Sequence, residues 1–391
     1  MRRIDITSAS PREIAVWEDG RLCEYLIDDE QAGAADTIIL GRVVRVVSGM
    51  QAAFVDIGQE KNGFLPLKEK SMTFDGQPVR EGDRVPVQIK REAHEQKGAF
   101  LSRDITLCGM YLILMPMNRY IGVSSRIESD ELKDDLRAYG KELSQGRFGL
   151  VMRAACEHAS AESVAEELDV LCHRWEQVRR DIIATPAPSV VYRQGTVLES
   201  VLRDYAPRGI DEIVTDDAAL AQKLAASYSV TERAPVIEDI HVQRDKALGR
   251  FVWLKSGGSL MIDHCEAMTV IDVNSGKFTG KRQLNDTLLA INLEACGEIA
   301  RQLRLRSVGG VIVIDFIDMK TDGDREKVRA ALESALADDR AKTVVHGFTA
   351  LGLMEMTRKR TRPSLREVMT VPCSHCSGNG VRLADKEDIH G

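Results

Sequence analysis

The chain has 391 residues, 43% of them hydrophobic and 29% charged, with a formal net charge of −7. Such a chain is globular and long enough for two to four domains, and its acidic balance excludes nucleic-acid binding through bulk charge. No apolar run approaches the ~20 residues that span a bilayer, and MRRIDITSAS lacks the apolar stretch of a secretory signal, so a cytoplasmic location without membrane contact is expected.

The first predicted element is a β-hairpin. EIAVWEDGRLCEYLI alternates on both sides of Asp19-Gly20, a strong hairpin turn. Two strands are not a domain, so the hairpin is expected to join a sheet supplied from elsewhere in the chain. Residues 37–107 then give five short strand segments: TIILGRVVRVV, QAAFVDIG, KNGFLPLKE, DRVPVQIKRE and GAFLSRDITL. Glycines punctuate them, the pattern of a small closed barrel, with the OB-fold as leading candidate. Alternation puts Ala53, Val55 and Ile57 on one face and Phe54 on the other; Phe64 likewise lies opposite Leu65 and Leu67. Two phenyl rings on the polar side of neighbouring strands either cover an adjoining domain or form stacking platforms for single-stranded bases. In the second reading Arg91 and Lys97 supply phosphate contacts.

Residues 108–190 open with the strand MYLILMP and continue with acidic helices around 129–144 and 159–183. Between these lies GRFGLVMRAAC, a strand ending at Arg153, and TPAPSVV closes the segment. Residues 191–247 alternate a helix (TVLESVLRDY), a strand (DEIVTD), another helix and an extended stretch. This is the natural home of the N-terminal hairpin, which makes a domain split in sequence. Residues 248–370 form a second α/β unit: strands SLMIDH and MTVIDVN, a glycine loop SGKFTGKR, a helix near 285–306, the strand GVIVIDFID, a helix near 323–338 and a basic tail. Residues 340–366 hold Arg340, Lys342, Arg358, Lys359, Arg360, Arg362 and Arg366 against Glu355 alone, a strip able to meet phosphates.

Two of these strands carry the chemistry. Asp272 and Asn274 fall on one face of MTVIDVN, and Asp315 ends VIVIDFID. Both carboxylates stand at the C-terminal edge, where α/β sheets hold their sites, and burying such groups requires a partner or a metal. Two carboxylates and an amide suit a hard cation such as Mg²⁺, whose bound waters serve phosphodiester hydrolysis. Lys277, Lys281 and Arg282 of the glycine loop are placed to meet substrate phosphates. Near the end, Cys373 and Cys376 form Cys-x-x-Cys, half of a tetrahedral zinc site. A redox dithiol is the weaker reading, because no thioredoxin-like βαβ pattern surrounds it. The other six cysteines stand singly and read as buried reduced thiols. The economical second half of the zinc site is another copy of the chain, one Zn²⁺ for each homodimer.

QAAFVDIG, AMTVIDVNSGKFTGKR, ARQLRLRSVGGVIVIDFIDM, ALGLMEMTRKRTRPSL and CSHCSGNG resemble, in that order, the ribonuclease E/G family, nearer its G type, over residues 1–384. The resemblance implies a Mg²⁺-dependent endoribonuclease that cuts single-stranded RNA to 5′-monophosphate and 3′-hydroxyl ends in RNA processing and decay. It implies an RNase H-like domain in two parts, 1–36 and 191–247. These would flank an OB-fold RNA-binding domain at 37–107 and a 5′-end sensor domain at 108–190. A DNase I-like catalytic domain at 248–370 and a zinc link at 371–391 would follow. Asp272 and Asp315 match the family's metal-binding aspartates and Asn274 the asparagine beside the first; Phe54, Phe64 and Lys97 match RNA-contacting positions. Two departures stand out. The family's usual Arg-Thr phosphate sensor is Arg153-Ala154 here, with a second basic contact at Lys342, so weaker preference for 5′-monophosphorylated RNA is expected. The sequence also stops short of the small assembly domain and of the scaffold tail that recruits other enzymes. The rival expectation is a single-stranded RNA-binding protein, dimerised through zinc, that cuts nothing.

Overall fold

A computed structural model of the chain describes residues 1–28, 36–67, 78–93, 98–276, 284–374 and 376. The chain divides into two units, Met1–Leu22 with Leu26–Ile237, and Glu238–Gly391 with Cys23–Tyr25.

The first unit starts with β1 (Arg2–Ile6), β2 (Arg12–Glu18) and β3 (Arg21–Asp28). Asp19 and Gly20 both take positive φ (49° and 75°), as the tightest hairpin turn demands. The expected hairpin is thus the second half of a three-stranded meander. Next come β4 (Ile38–Val47), β5 (Ala52–Asp56), β6 (Gly63–Pro66), β7 (Arg84–Arg91) and β8 (Phe100–Ser102), hydrogen-bonded in the order β4-β5-β6-β8-β7. Pairing of β4 with β7 closes this sheet into a five-stranded barrel. β4 serves two partners because a bulge between Val43 and Arg45 bends it: Ile38–Arg42 face β7, and the rest faces β5. Gly41 sits at the crossing, where a Cβ would strike the Val55 side chain. Ile39, Val43, Val55, Leu65, Val87 and Leu101 fill the interior.

β9 (Leu107–Cys108), β10 (Leu112–Met115), β11 (Ile121–Val123), α1 (Asp130–Ser144), β12 (Gly149–Met152) and α2 (Ala161–Ala184) follow. The strands order as β11-β12-β10-β9. Ser129 and Ser160 cap the two helices, each accepting a backbone N–H from the first turn. α2 buries Val164, Leu168, Leu171, Trp175, Val178 and Ile182, an alternating four- and three-residue spacing that makes one apolar stripe. β13 (Ser189–Tyr192) returns to pair with β4 on the outside of the barrel. α3 (Val197–Tyr205), β14 (Glu212–Thr215), α4 (Ala218–Leu224) and β15 (Val230–Glu232) come next, with a Thr196–Glu199 capping box starting α3. β1 runs parallel to β14, so the N-terminal meander completes the sheet β15-β14-β1-β2-β3 across some 200 intervening residues.

After α5 (Ile237–Leu248), the second unit contains β16 (Phe251–Trp253), β17 (Ser259–His264), β18 (Met268–Asn274), α6 (Leu284–Leu305), β19 (Gly310–Asp315), α7 (Asp322–Leu336), β20 (Thr343–Phe348), β21 (Met354–Arg358) and α8 (Leu365–Met369). Its sheet orders as β16-β17-β18-β19-β21-β20; β18 and β19 are parallel and their neighbours antiparallel. Ile271, Val273, Ile312, Ile314, Met354 and Met356 point to one face, against Ile291, Ala295, Ile299 and Leu303 of α6 and Val328 and Leu332 of α7. The alternate residues form the uncovered face.

The expected basic tail is therefore corrected: residues 343–358 supply two strands of this sheet. Its charges are partly consumed inside the fold. Arg358 is buried, donating two hydrogen bonds to Asp339 (2.7 and 2.9 Å) and one to the Val308 carbonyl (2.7 Å), while Arg360 pairs with Glu367. Lys342 and Lys359 keep exposed side chains. Of the six scattered cysteines, Cys23, Cys156 and Cys296 are buried, and burial pushes the Cys156 and Cys296 thiols up to about 11 and about 12. Cys265 departs from the expectation; it is exposed in the turn between β17 and β18.

Candidate active site and nucleic-acid face

The barrel presents a ladder of three half-buried rings. β5 and β6 pair with Phe54 opposite Phe64, and β6 pairs with β8 with Phe64 opposite Phe100. Ring centroids lie 6.0 Å apart at both steps, at 72° and 35°. Arg91 lies over Phe100 with its guanidinium carbon 4.5 Å from the ring centroid, and Arg45 stands opposite Phe54 on β4. Burial of the alternate residues Ala53, Val55, Leu65, Ala99 and Leu101 forces these rings outward. Phe100 and Arg45 were missed in the sequence; for Phe100 the signal was the same alternation, Ala99 and Leu101 inside with the ring between them. Lys97 lies outside the described residues.

On the second unit, Asp272 and Asp315 are register partners at the C-terminal ends of β18 and β19, whose backbones run about 4.8 Å apart. Thr269, Ile271 and Val273 are buried under the helices, which turns Val270, Asp272 and Asn274 to the uncovered face. The Asn274 amide donates to Asp272 Oδ2 at 2.6 Å, fixing that carboxylate. Asp272 is half-buried and Asp315 exposed. Among the described residues no cation is paired with either in the way that Asp339 holds Arg358. The donors are all oxygen and two are anionic, which fits a hard divalent cation that keeps several waters. Among the described residues no group of three or more His, Cys, Asp and Glu could hold a metal. Lys277, Lys281 and Arg282 lie outside the described residues.

α6 supports this edge from behind. The buried Asn292 donates from Nδ2 to the Ile317 carbonyl (2.8 Å) and accepts the Ile317 N–H on Oδ1 (3.1 Å), clamping the chain two residues past Asp315. Neither that clamp nor the role of α6 in it is legible in the sequence.

The 5′-end candidates fall in different units. Arg153 donates to the Gly109 carbonyl (2.6 Å) and to Asp204 Oδ1 (2.8 Å). Glu167 accepts the N–H groups of Met110, Tyr111 and Leu112, so the loop that Arg153 touches is tied down from both sides. Lys342 is exposed on the second unit. Cys373 is exposed and Cys376 half-buried.

A barrel with an aromatic ladder, joined in one chain to a sheet that ends in paired carboxylates, defines a nucleic-acid-binding protein equipped for phosphoester chemistry. Comparison with known proteins makes this particular. Residues 34–104 match the S1 RNA binding domain, an OB-type barrel, and residues 106–361 match the ribonuclease E/G family. The chain is 38% identical to ribonuclease G of Escherichia coli (strain K12) over 407 residues, covering 96% of this chain and 83% of that protein. It is also 38% identical to ribonuclease G of Haemophilus influenzae over 410 residues, with the same coverage. With ribonuclease E of Escherichia coli (strain K12) it shares 38% over 424 residues, all of this chain but 40% of that protein. The chain belongs to the ribonuclease E/G family and is an endoribonuclease. Among the described residues no helix is long and apolar enough to cross a membrane.

Proposed function

We propose that the chain cleaves single-stranded RNA in RNA processing and decay, with a Mg²⁺ ion held by Asp272 and Asp315, leaving 5′-monophosphate and 3′-hydroxyl ends. The observation that carries this reading is the register pairing of the two aspartates at one strand edge, with Asn274 donating to the first. The bound ion would supply charge stabilisation at the phosphate and a water of lowered pKa. Asn274 keeps the Asp272 carboxylate in one orientation, so the site is arranged before substrate arrives. Phe54, Phe64 and Phe100 stack successive bases, and Arg91 and Arg45 meet the backbone, which selects unpaired strands because a duplex hides its base faces. In this reading residues 1–36 and 191–247 form the RNase H-like part and 248–370 the DNase I-like catalytic part. Cys373 and Cys376 contribute to a zinc link between two chains in a cytoplasmic homodimer.

The test is cleavage of a labelled A/U-rich single strand by the purified chain, with and without Mg²⁺. Asp272→Asn and Asp315→Asn are each expected to lower the rate at least ~100-fold while RNA binding persists. Binding without cutting by the wild type would favour a non-catalytic RNA-binding protein. Undiminished cutting by both variants would remove the site assignment.

A further inference from the structure

β16 is only three residues long, yet it exposes two aromatic rings beside the acidic edge. Trp253 is 68% and Phe251 43% exposed. The rings meet edge to face, centroids 4.7 Å apart at 77°. Strand register puts both on the uncovered face: Phe251 shares a row with Met261, Asp272 and Asp315, and Trp253 shares the next row with Ser259 and Asn274. Two strand spacings separate Trp253 from Asn274, roughly 10 Å between backbones. That is the reach of one nucleotide along a strand whose phosphate lies at the aspartates.

The rings stand on a fixed support. The turn after Trp253 buries Leu254, whose N–H donates to the Gly258 carbonyl at 2.9 Å. The Glu294 carboxylate of α6 accepts the N–H groups of Lys255 (2.7 Å) and Ser256 (3.2 Å). This turn and the end of β18 touch backbone to backbone. Gly276 has φ +61°, and a Cβ there would collide with the Gly257 carbonyl; one on Gly258 would come 2.9 Å from the Asn274 carbonyl. A displacement of the rings is thus resisted by the same backbone that carries Asn274.

The surroundings select the occupant. A protein-docking patch needs contiguous apolar surface. Here Met261 lies in Phe251's row, but Ser259, Asn274, Asp272 and the Arg250–Asp263 ion pair make up most of the border, so the rings stand within a largely polar rim beside the acidic edge. A nucleobase, planar with polar edges, matches an isolated ring with a polar rim, and stacking suits any base. We propose that Trp253, backed by Phe251, is a stacking platform for the base of the nucleotide next to the scissile phosphate. This rests on Asp272 and Asp315 being the cleavage centre.

The test uses oligonucleotides carrying one 2-aminopurine at successive positions around a mapped cleavage site, bound to the full chain as Asp315→Asn. Quenching is expected at a position adjacent to the scissile bond, to be lost when Trp253→Ala is added and recovered with Trp253→Phe. In the cutting enzyme Trp253→Ala is expected to raise KM about tenfold, with Trp253→Phe restoring most of it. Active wild type with KM and quenching untouched by Trp253→Ala overturns the platform alone. So does a Trp253→Ala protein that changes only its sedimentation, which would assign the face to a second copy of the chain. A wild type that cuts nothing, or an Asp315→Asn that cuts like wild type, overturns the cleavage-centre reading and this inference with it.

Discussion

The guanidinium of Arg153 is already engaged by Asp204 and the Gly109 carbonyl, and residue 154 is an alanine with no hydroxyl to offer. A 5′-phosphate reaching Arg153 competes with a carboxylate 2.8 Å away, and it lacks one hydrogen bond worth about 1.5–3 kcal/mol to a charged group. Oligonucleotides with 5′-monophosphate and 5′-hydroxyl ends are therefore expected to be cleaved at nearly equal rates. Asp204→Asn should shift the ratio toward the monophosphate; a large monophosphate advantage in the wild type would sink this account. A second single-residue effect concerns pH. His264, half-buried at the end of β17, is held below its ordinary pKa by burial and then by the Arg306 and Arg366 charges. The folded protein thus keeps the imidazole neutral where the unfolded chain protonates it. The unfolded state binds more protons in that window, so His264 contributes stability that is complete above pH ~6.5 and is lost as the pH falls through the depressed folded value. Chemical denaturation from pH 7.5 down to 5 is expected to show the decline, and His264→Gln to flatten it. An unchanged slope in His264→Gln would remove the assignment.

At the scale of elements, α6 is both a wall of the core and a jig for the edge that carries Asp272 and Asp315. Ile291, Ala295, Ile299 and Leu303 make its apolar stripe, while Asn292 clamps Ile317 and Glu294 clamps the turn after β16. Asn292→Ala leaves two partly buried backbone groups of Ile317 unpaired. It is expected to cost about 1–3 kcal/mol of stability and, by loosening the chain just past Asp315, to lower kcat more than tenfold with RNA affinity unchanged. An unaltered kcat in a folded Asn292→Ala protein would reduce the clamp to a purely stabilising role. The strands that hold the aspartates were legible in sequence because a sheet covered on one face alternates, and MTVIDVN shows that alternation plainly. Phe54 and Phe64 were legible for the same reason. β16 was not, since three residues cannot display a period. β20 and β21 were hidden under positive charge, because the partner that neutralises Arg358 is Asp339, 19 residues earlier, and only the folded chain brings them together. The clamps from α6 belong to the same class: polar residues on a buried stripe, whose function depends on a partner 25 or 39 residues away.

At the scale of the whole molecule, the C-terminal cysteines bear on how many chains make the working enzyme. Cys-x-x-Cys supplies two thiolates where tetrahedral zinc takes four ligands. Two symmetry-related pairs would complete it, and the closed twofold arrangement stops at two chains. Zinc binding would then be dimerisation free energy, so the dimer should dissociate on dilution far more readily once the metal is removed. Metal analysis of protein purified without chelator is expected to give about half a zinc for each chain, and sedimentation to give twice the chain mass. Cys373→Ser, or stripping with a zinc chelator, should yield monomers whose secondary structure is intact, because the barrel and both large sheets are built without these residues. One zinc per chain, or a dimer that survives Cys373→Ser at nanomolar concentration, would mean that the cysteines close a site of another kind and that the chains associate through a different surface.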